Sequence, residues 1–202
     1  MLQWVQSKGT KEALEMNREQ AHEILMKYMQ GENYITHSYA VEAIMRGLAK
    51  RLAPDEVEYW GIVGLLHDLD EEQCDWRNDM STHGPTSVEI LKKEGIDDKV
   101  LFDAICAHNP KSGVKAKTKL QYAVLAADPM SGFVKAVAQI YPDKKIASVK
   151  HKSVMKRFNE HRFAAGANRD YMEAIEFTGL SLDDLIDVAL EEMGAIADVL
   201  GL

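Results

Sequence analysis

The chain is expected to be all-α, and three observations carry that expectation. Apolar residues recur at three- and four-residue steps along most of its 202 residues. No alternating strand pattern of useful length interrupts them, and Gly, Pro and polar caps fall where each helical run should start or stop. With 46% hydrophobic and 28% charged positions, no internal repeat and no low-complexity tract, the composition fits one globular domain over residues 1–202. Such a chain is long enough to bury a sizeable core.

Thr10 is placed to cap a first helix running to about Gln30, with Ala21, Ile24, Leu25, Tyr28 and Met29 on its apolar face and Gly31 ending it. A second helix is predicted from about Thr36 to Leu52. Pro54 suits the first position of a third, "PDEVEYWGIVGLLHDL", in which Gly61 and Gly64 would admit a close neighbour. Further helices are expected over 86–94, closed by Gly95, and 97–107, closed by "HNP". Another covers 118–140, closed by Pro142 and broken near Asp128-Pro129, because the residue before a proline avoids helical dihedrals. The last third reads as helices near 146–160, 168–177 and 181–200, the last opened by Ser181 with Asp184 three residues on.

A formal net charge of −8 argues against generic binding to nucleic acid or to an anionic membrane surface. Cys74 and Cys106 lie far apart with no C-x-x-C spacing, so neither a disulfide framework nor a thiolate zinc site is expected and a reducing cytoplasm suits the chain. The N-terminal "MLQWVQSKGTKEALEMN" lacks the apolar core of a signal peptide, and no later run reaches the length of a membrane span. The expected location is cytoplasmic; a homo-oligomer stays open.

The chemistry sits in polar residues at the ends of apolar runs. "GIVGLLHDLDEE" carries core residues straight into His67, Asp68 and a carboxylate cluster, which is costly against an apolar wall unless something compensates it. His37, His83, His108 and Asp128 stand at comparable places, near the ends of the other predicted helices. Imidazole and carboxylate suit a borderline or hard divalent cation, and a cation among them would offset their desolvation. His67 and Asp68 are one step apart, so on a helix their side chains diverge by roughly 100°; one ion could reach both only near the helix end.

The order His37, His67-Asp68, Asp128 resembles the H…HD…D signature of the HD superfamily of metal-dependent phosphohydrolases, over roughly residues 34 to 132. That resemblance implies a helical core of about that extent, with the N-terminal helix 10–30 and the C-terminal helices 146–200 packed on it. It implies a divalent metal on His37, His67, Asp68 and Asp128. His83 and His108 fall where binuclear branches place two more histidines, with Asp68 bridging. Many binuclear members read HDIG-Lys, whereas this chain reads His67-Asp68-Leu69-Asp70-Glu71 and has no GYP triplet, which counts against cyclic-dinucleotide hydrolysis. Glu71 resembles the acidic residue that helps activate water in the superfamily's nucleotidases, and reads equally as a solvated surface acid.

Lys111 and Lys115, in "HNPKSGVKAKTK" just beyond His108, could hold a substrate phosphate or belong to a soluble loop. The basic stretch "DKKIASVKHKSVMKRFNEHR" could fold back over the site; His22, His151 and His161 are read as non-ligands. The expected function is hydrolysis of a phosphoester, in a nucleotide or another small phosphorylated metabolite, by metal-activated water, with Asp68 and Glu71 catalytic. One or two ions of Mn, Fe, Co, Ni or Zn would serve. Two other functions fit the same residues, an HD-type di-iron oxygenase and a non-catalytic metal-containing binding module.

Overall fold

The computed structural model describes residues 16–202. Among these the protein is all-α, with ten α-helices joined by turns and short 3-10 segments and no strand. The expected Thr10 cap lies outside the described residues. Helix α1 (Arg18–Tyr28) starts at Asn17, whose side chain accepts from the Gln20 backbone N–H while the Gln20 side chain returns the bond.

Helix α2 (Glu32–Leu52) begins four residues before the expected Thr36. The reason is tertiary: the Glu72 carboxylate accepts from the backbone N–H groups of Gln30 (2.6 Å) and Gly31 (3.0 Å), supplying from a distant turn an anion at the helix start. In helix α3 (Val57–Leu66) every residue from Trp60 to Leu66 is buried. It packs on α2 so closely that a Cβ on Gly64 would lie 2.9 Å from the Val41 carbonyl oxygen and 3.0 Å from Glu42 Cα, so the glycine is required for lack of space.

Helix α4 (Pro85–Lys93) packs on α5 (Lys99–His108), which packs on α6 (Lys119–Gln139), the helix that touches most other elements. Against expectation, α6 does not break at Asp128-Pro129. Interior proline costs about 3 kcal/mol, but Val124, Met130, Phe133 and Val134 are fully buried on both sides of it, each worth about 1.5–3 kcal/mol. Core burial therefore outweighs the local penalty.

Beyond α6 the predicted stretch 146–160 resolves into a 3-10 turn and α7 (His151–Phe158). The stretch 168–177 resolves into α8 (Arg169–Glu173) followed by the 3-10 turn Ala174–Thr178. The predicted 181–200 helix divides into α9 (Leu182–Ala195), opened by the Ser181–Asp184 box, and α10 (Ala197–Leu200). The division falls at Ile196 (φ −119°, ψ 23°), just after Gly194, a poor helix former. One apolar core runs from Met16 to Leu200, with α9 lying on α2 and α6. Among the described residues no helix is long and apolar enough to cross a membrane.

Candidate metal centre

Five segments bring the six ligand-type residues together. His37 comes from the second turn of α2, His67 and Asp68 from the end of α3, His83 from the turn before α4, His108 from the end of α5 and Asp128 from within α6. His37 Nε2 lies 3.2 Å from both Asp68 Oδ2 and Asp128 Oδ1. Asp68 Oδ1 lies 3.3 Å from the Nε2 atoms of His67, His83 and His108. Two groups result, His37, His67, Asp68 and Asp128 in one and Asp68, His83 and His108 in the other, with Asp68 common to both. Donor atoms bound about 2.1 Å from one ion lie within about 4.2 Å of one another, and these separations fall inside that limit. The divergence expected of His67 and Asp68 is relieved because α3 ends at Leu66, so Asp68 already lies outside the helix.

The protons decide what these nitrogens can do. His67 donates from Nδ1 to the Gly64 carbonyl (2.8 Å), and His108 from Nδ1 to that of Ile105 (2.5 Å). Each imidazole folds back on an orphan carbonyl in the last turn of its own helix. His83 donates from Nδ1 to Asp70 Oδ1 (2.8 Å). Ser131 donates its hydroxyl proton to the Asp128 carbonyl (2.9 Å), so it accepts from His37 Nδ1 (3.0 Å). In their neutral forms all four histidines therefore turn an unprotonated Nε2 inward. These lone pairs meet the Asp68 carboxylate, also an acceptor, and His83 Nε2 faces His108 Nε2 at 2.9 Å. His67 Nε2 and Asp68 Oδ1 are buried with no hydrogen-bond partner, an arrangement costing about 1–3 kcal/mol per group unless a cation meets it. The donor set and its orphaned acceptors fit a divalent ion.

The charges call for positive charge at the same place, which either a proton on His37 or a cation supplies. Burial works to raise the Asp68 carboxyl, but the imidazoles of His67, His108 and His37 outweigh it and hold the group well below the usual carboxylate range. Burial opposes protonation of His37, and Asp128 and Asp68 more than reverse this, raising it to about 10. Burial and the nearby Asp68 charge push half-buried Glu71 up to about 7.

A family model of the HD domain matches residues 34–149, more than half of the chain. The protein belongs to the HD domain family. Neither the curated proteins nor the solved structures gave a match. HD domains form a superfamily of metal-dependent phosphohydrolase type, and the matched span continues past the expected limit near residue 132 to the turn after α6.

In this HD domain a cavity of about 550 Å³ opens on the centre, lined by His37, His83, His108 and Asp128. Lys111 lines it too, whereas exposed Lys115 is not among its lining residues. The basic stretch 143–162 contributes no lining residue; the far wall is the next segment, including Ala164, Ala167, Asn168 and Tyr171. Sequence reasoning missed that wall, which carries no motif. It also missed Asp70, fully buried, whose Oδ1 holds His83 and whose Oδ2 accepts from the N–H groups of Gly84 (2.7 Å) and Ser87 (3.1 Å). A second carboxylate two residues after Asp68 in an apolar run was the available signal. Asp70, Cys74 and His83 also cluster, but both Asp70 oxygens are committed to these protons. Outside the centre, His22 pairs with Tyr39 and His151 lies between Asp183 and Asp187.

Proposed function

We propose that this HD domain hydrolyses a phosphoester of a nucleotide or another small phosphorylated metabolite, using one or two divalent ions held by His37, His67, Asp68, His83, His108 and Asp128. One observation carries the reading: the Nε2 atoms of four imidazoles converge on one carboxylate, and among them buried His67 Nε2 and Asp68 Oδ1 have no hydrogen-bond partner. When bound, divalent ions lower the pKa of a nearby water and offset phosphoryl charge. Asp68, common to both groups, supplies the negative charge that two cations would share. Glu71, pushed up to about 7 beside the centre, is poised to take a proton from water at its carboxylate. Lys111, on the cavity wall, supplies a positive charge for the substrate phosphate.

The test combines elemental analysis of protein purified without chelator with turnover of a phosphoester panel, in air and without oxygen. Expected are transition-metal ions, close to two per chain, and hydrolysis that chelator removes and oxygen does not affect. Oxygen-dependent turnover with no hydrolysis would favour the di-iron oxygenase reading. Tight metal binding with neither reaction would favour a binding module. In the Lys111→Ala variant KM should rise and inhibition by free phosphate weaken, with metal content unchanged.

A further inference from the structure

Arg169 has an unusual set of partners for a cation beside a candidate active site. Nη1 donates to the carbonyls of Ala164 (2.7 Å) and Ala167 (2.8 Å), Nη2 to that of Phe163 (2.5 Å) and Nε, more weakly, to that of Phe158 (3.5 Å). The guanidinium carbon lies 4.7 Å from the Phe133 ring centre and 5.9 Å from that of Phe158. The cation is thus held by carbonyl dipoles and aromatic faces, and the loop before α8 is gathered onto one rigid planar fork. Ala164 sits at φ +42°, a left-handed conformation that an L residue keeps only where its surroundings impose it. The clamp on its carbonyl supplies that imposition.

What the clamp holds is the cavity wall facing the metal centre. Asn168 uses its side-chain oxygen to accept from the Tyr171 backbone N–H (3.3 Å), which leaves its amide N–H groups free. Among the described residues neither those groups, the Tyr171 hydroxyl nor the Lys111 ammonium has a hydrogen-bond or ion-pair partner. The rest of this side is apolar or backbone, from Pro129, Ala164 and Ala167. Apart from the ligand-type residues, the wall thus offers donors over a small apolar floor. At about 550 Å³ the cavity falls in the range of roughly 300–1,000 Å³ usual for small-molecule sites, larger than a phosphate alone requires.

We propose that residues 163–171 form the leaving-group subsite of this HD domain. Asn168 and Tyr171 bind the organic part of a phosphate monoester bearing oxygen or nitrogen acceptors, and Arg169 is the positioning residue that holds them in place. The inference rests on the phosphoester reading above. It places specificity in a segment beyond the matched HD span and leaves the phosphate to the metal centre and Lys111.

The test is calorimetric binding to metal-loaded protein. The probes are inorganic phosphate and a panel of phosphate monoesters with nucleoside, sugar, glycerol and simple alkyl groups. The parent should bind a nucleoside or sugar ester more tightly than inorganic phosphate or an alkyl ester. Asn168→Ala with Tyr171→Ala should weaken the best ester by about tenfold, as the loss of one or two neutral hydrogen bonds implies, while inorganic phosphate and metal stoichiometry stay within twofold. Arg169→Lys should weaken the same ester and raise amide hydrogen exchange over residues 159–168 alone. Equal losses for phosphate and ester, or no loss in the double variant, would overturn the subsite. A parent that binds phosphate but prefers no ester would also overturn it, while one that binds neither phosphate nor any ester would remove the phosphoester reading itself.

Discussion

Asp70→Asn separates a residue's role in the fold from its role at the metal centre, because the two carboxylate oxygens have different work. Oδ2 accepts from two backbone N–H groups, at Gly84 and Ser87, and Oδ1 accepts from His83 Nδ1. An asparagine oxygen in place of Oδ2 keeps both backbone bonds. Its NH2 then faces His83 Nδ1, where two donors meet, and the clash is relieved if His83 moves its proton to Nε2. That tautomer removes the lone pair turned toward Asp68 and His108. The expected stability loss is about 1–3 kcal/mol, the worth of one charge-assisted bond, or roughly 2–12 °C in Tm for a chain of this length. Metal affinity of the group containing His83 should fall by about 10–100-fold, while the group of His37, His67, Asp68 and Asp128 keeps its ion. Elemental analysis after dialysis against graded chelator reads the loss, and nitrogen-detected NMR of the imidazoles reads the tautomer. Parent-like affinity at both groups with His83 protonated on Nε2 would refute the argument that Asp70 acts through that nitrogen.

Asp68→Asn should abolish turnover and lower metal content with the helical circular dichroism spectrum nearly unchanged; full activity in metal-loaded variant protein would end the HD-site reading. Gly64→Ala places a methyl 2.9 Å from the Val41 carbonyl, a backbone atom that cannot step aside; a loss of about 2 kcal/mol, roughly 4–8 °C in Tm, should appear in thermal melts. His151, gripped by Asp187 (2.6 Å) and Asp183 (2.7 Å), has its pKa raised chiefly by Asp187; burial opposes this, and Asp183 adds to the rise. Its contribution to stability is therefore full below its ordinary value of about 6.5 and fades as pH rises through the raised folded value. Melts of the His151→Gln variant should differ from the parent most at mildly acidic pH and least in alkali, by under about 1 kcal/mol because the pair is partly exposed.

The helical class and most helix starts were legible because caps and apolar periodicity act within a few residues. Thr118 and Ser181, where two predicted stretches open, each cap the helix that follows through bonds confined to one turn. The failures share a different cause. Proline rules placed a break at Asp128-Pro129, but burial of Val124, Met130 and Phe133 keeps α6 continuous. The start of α2 moved to Glu32, where the Glu72 carboxylate, forty residues on, binds the backbone N–H groups of Gln30 and Gly31 just before it.

The same division runs through the candidate site. The sequence by itself determined which side chains stand at the ends of apolar runs, and so which donors could meet in a dry place. Their order matched a known signature before any distance was known. The tertiary structure decided which nitrogen of His37 and His83 faces inward, since Ser131 and Asp70 take the protons of Nδ1, whereas His67 and His108 bond to Gly64 and Ile105 three residues before them in their own helices. It also decided that residues 163–171 wall the cavity, through an arginine whose partners are backbone carbonyls. Residue types carry local propensity and ligand chemistry. Cavity shape and part of the proton placement depend on groups from separate segments, and both also use carbonyls that every residue possesses and no motif marks.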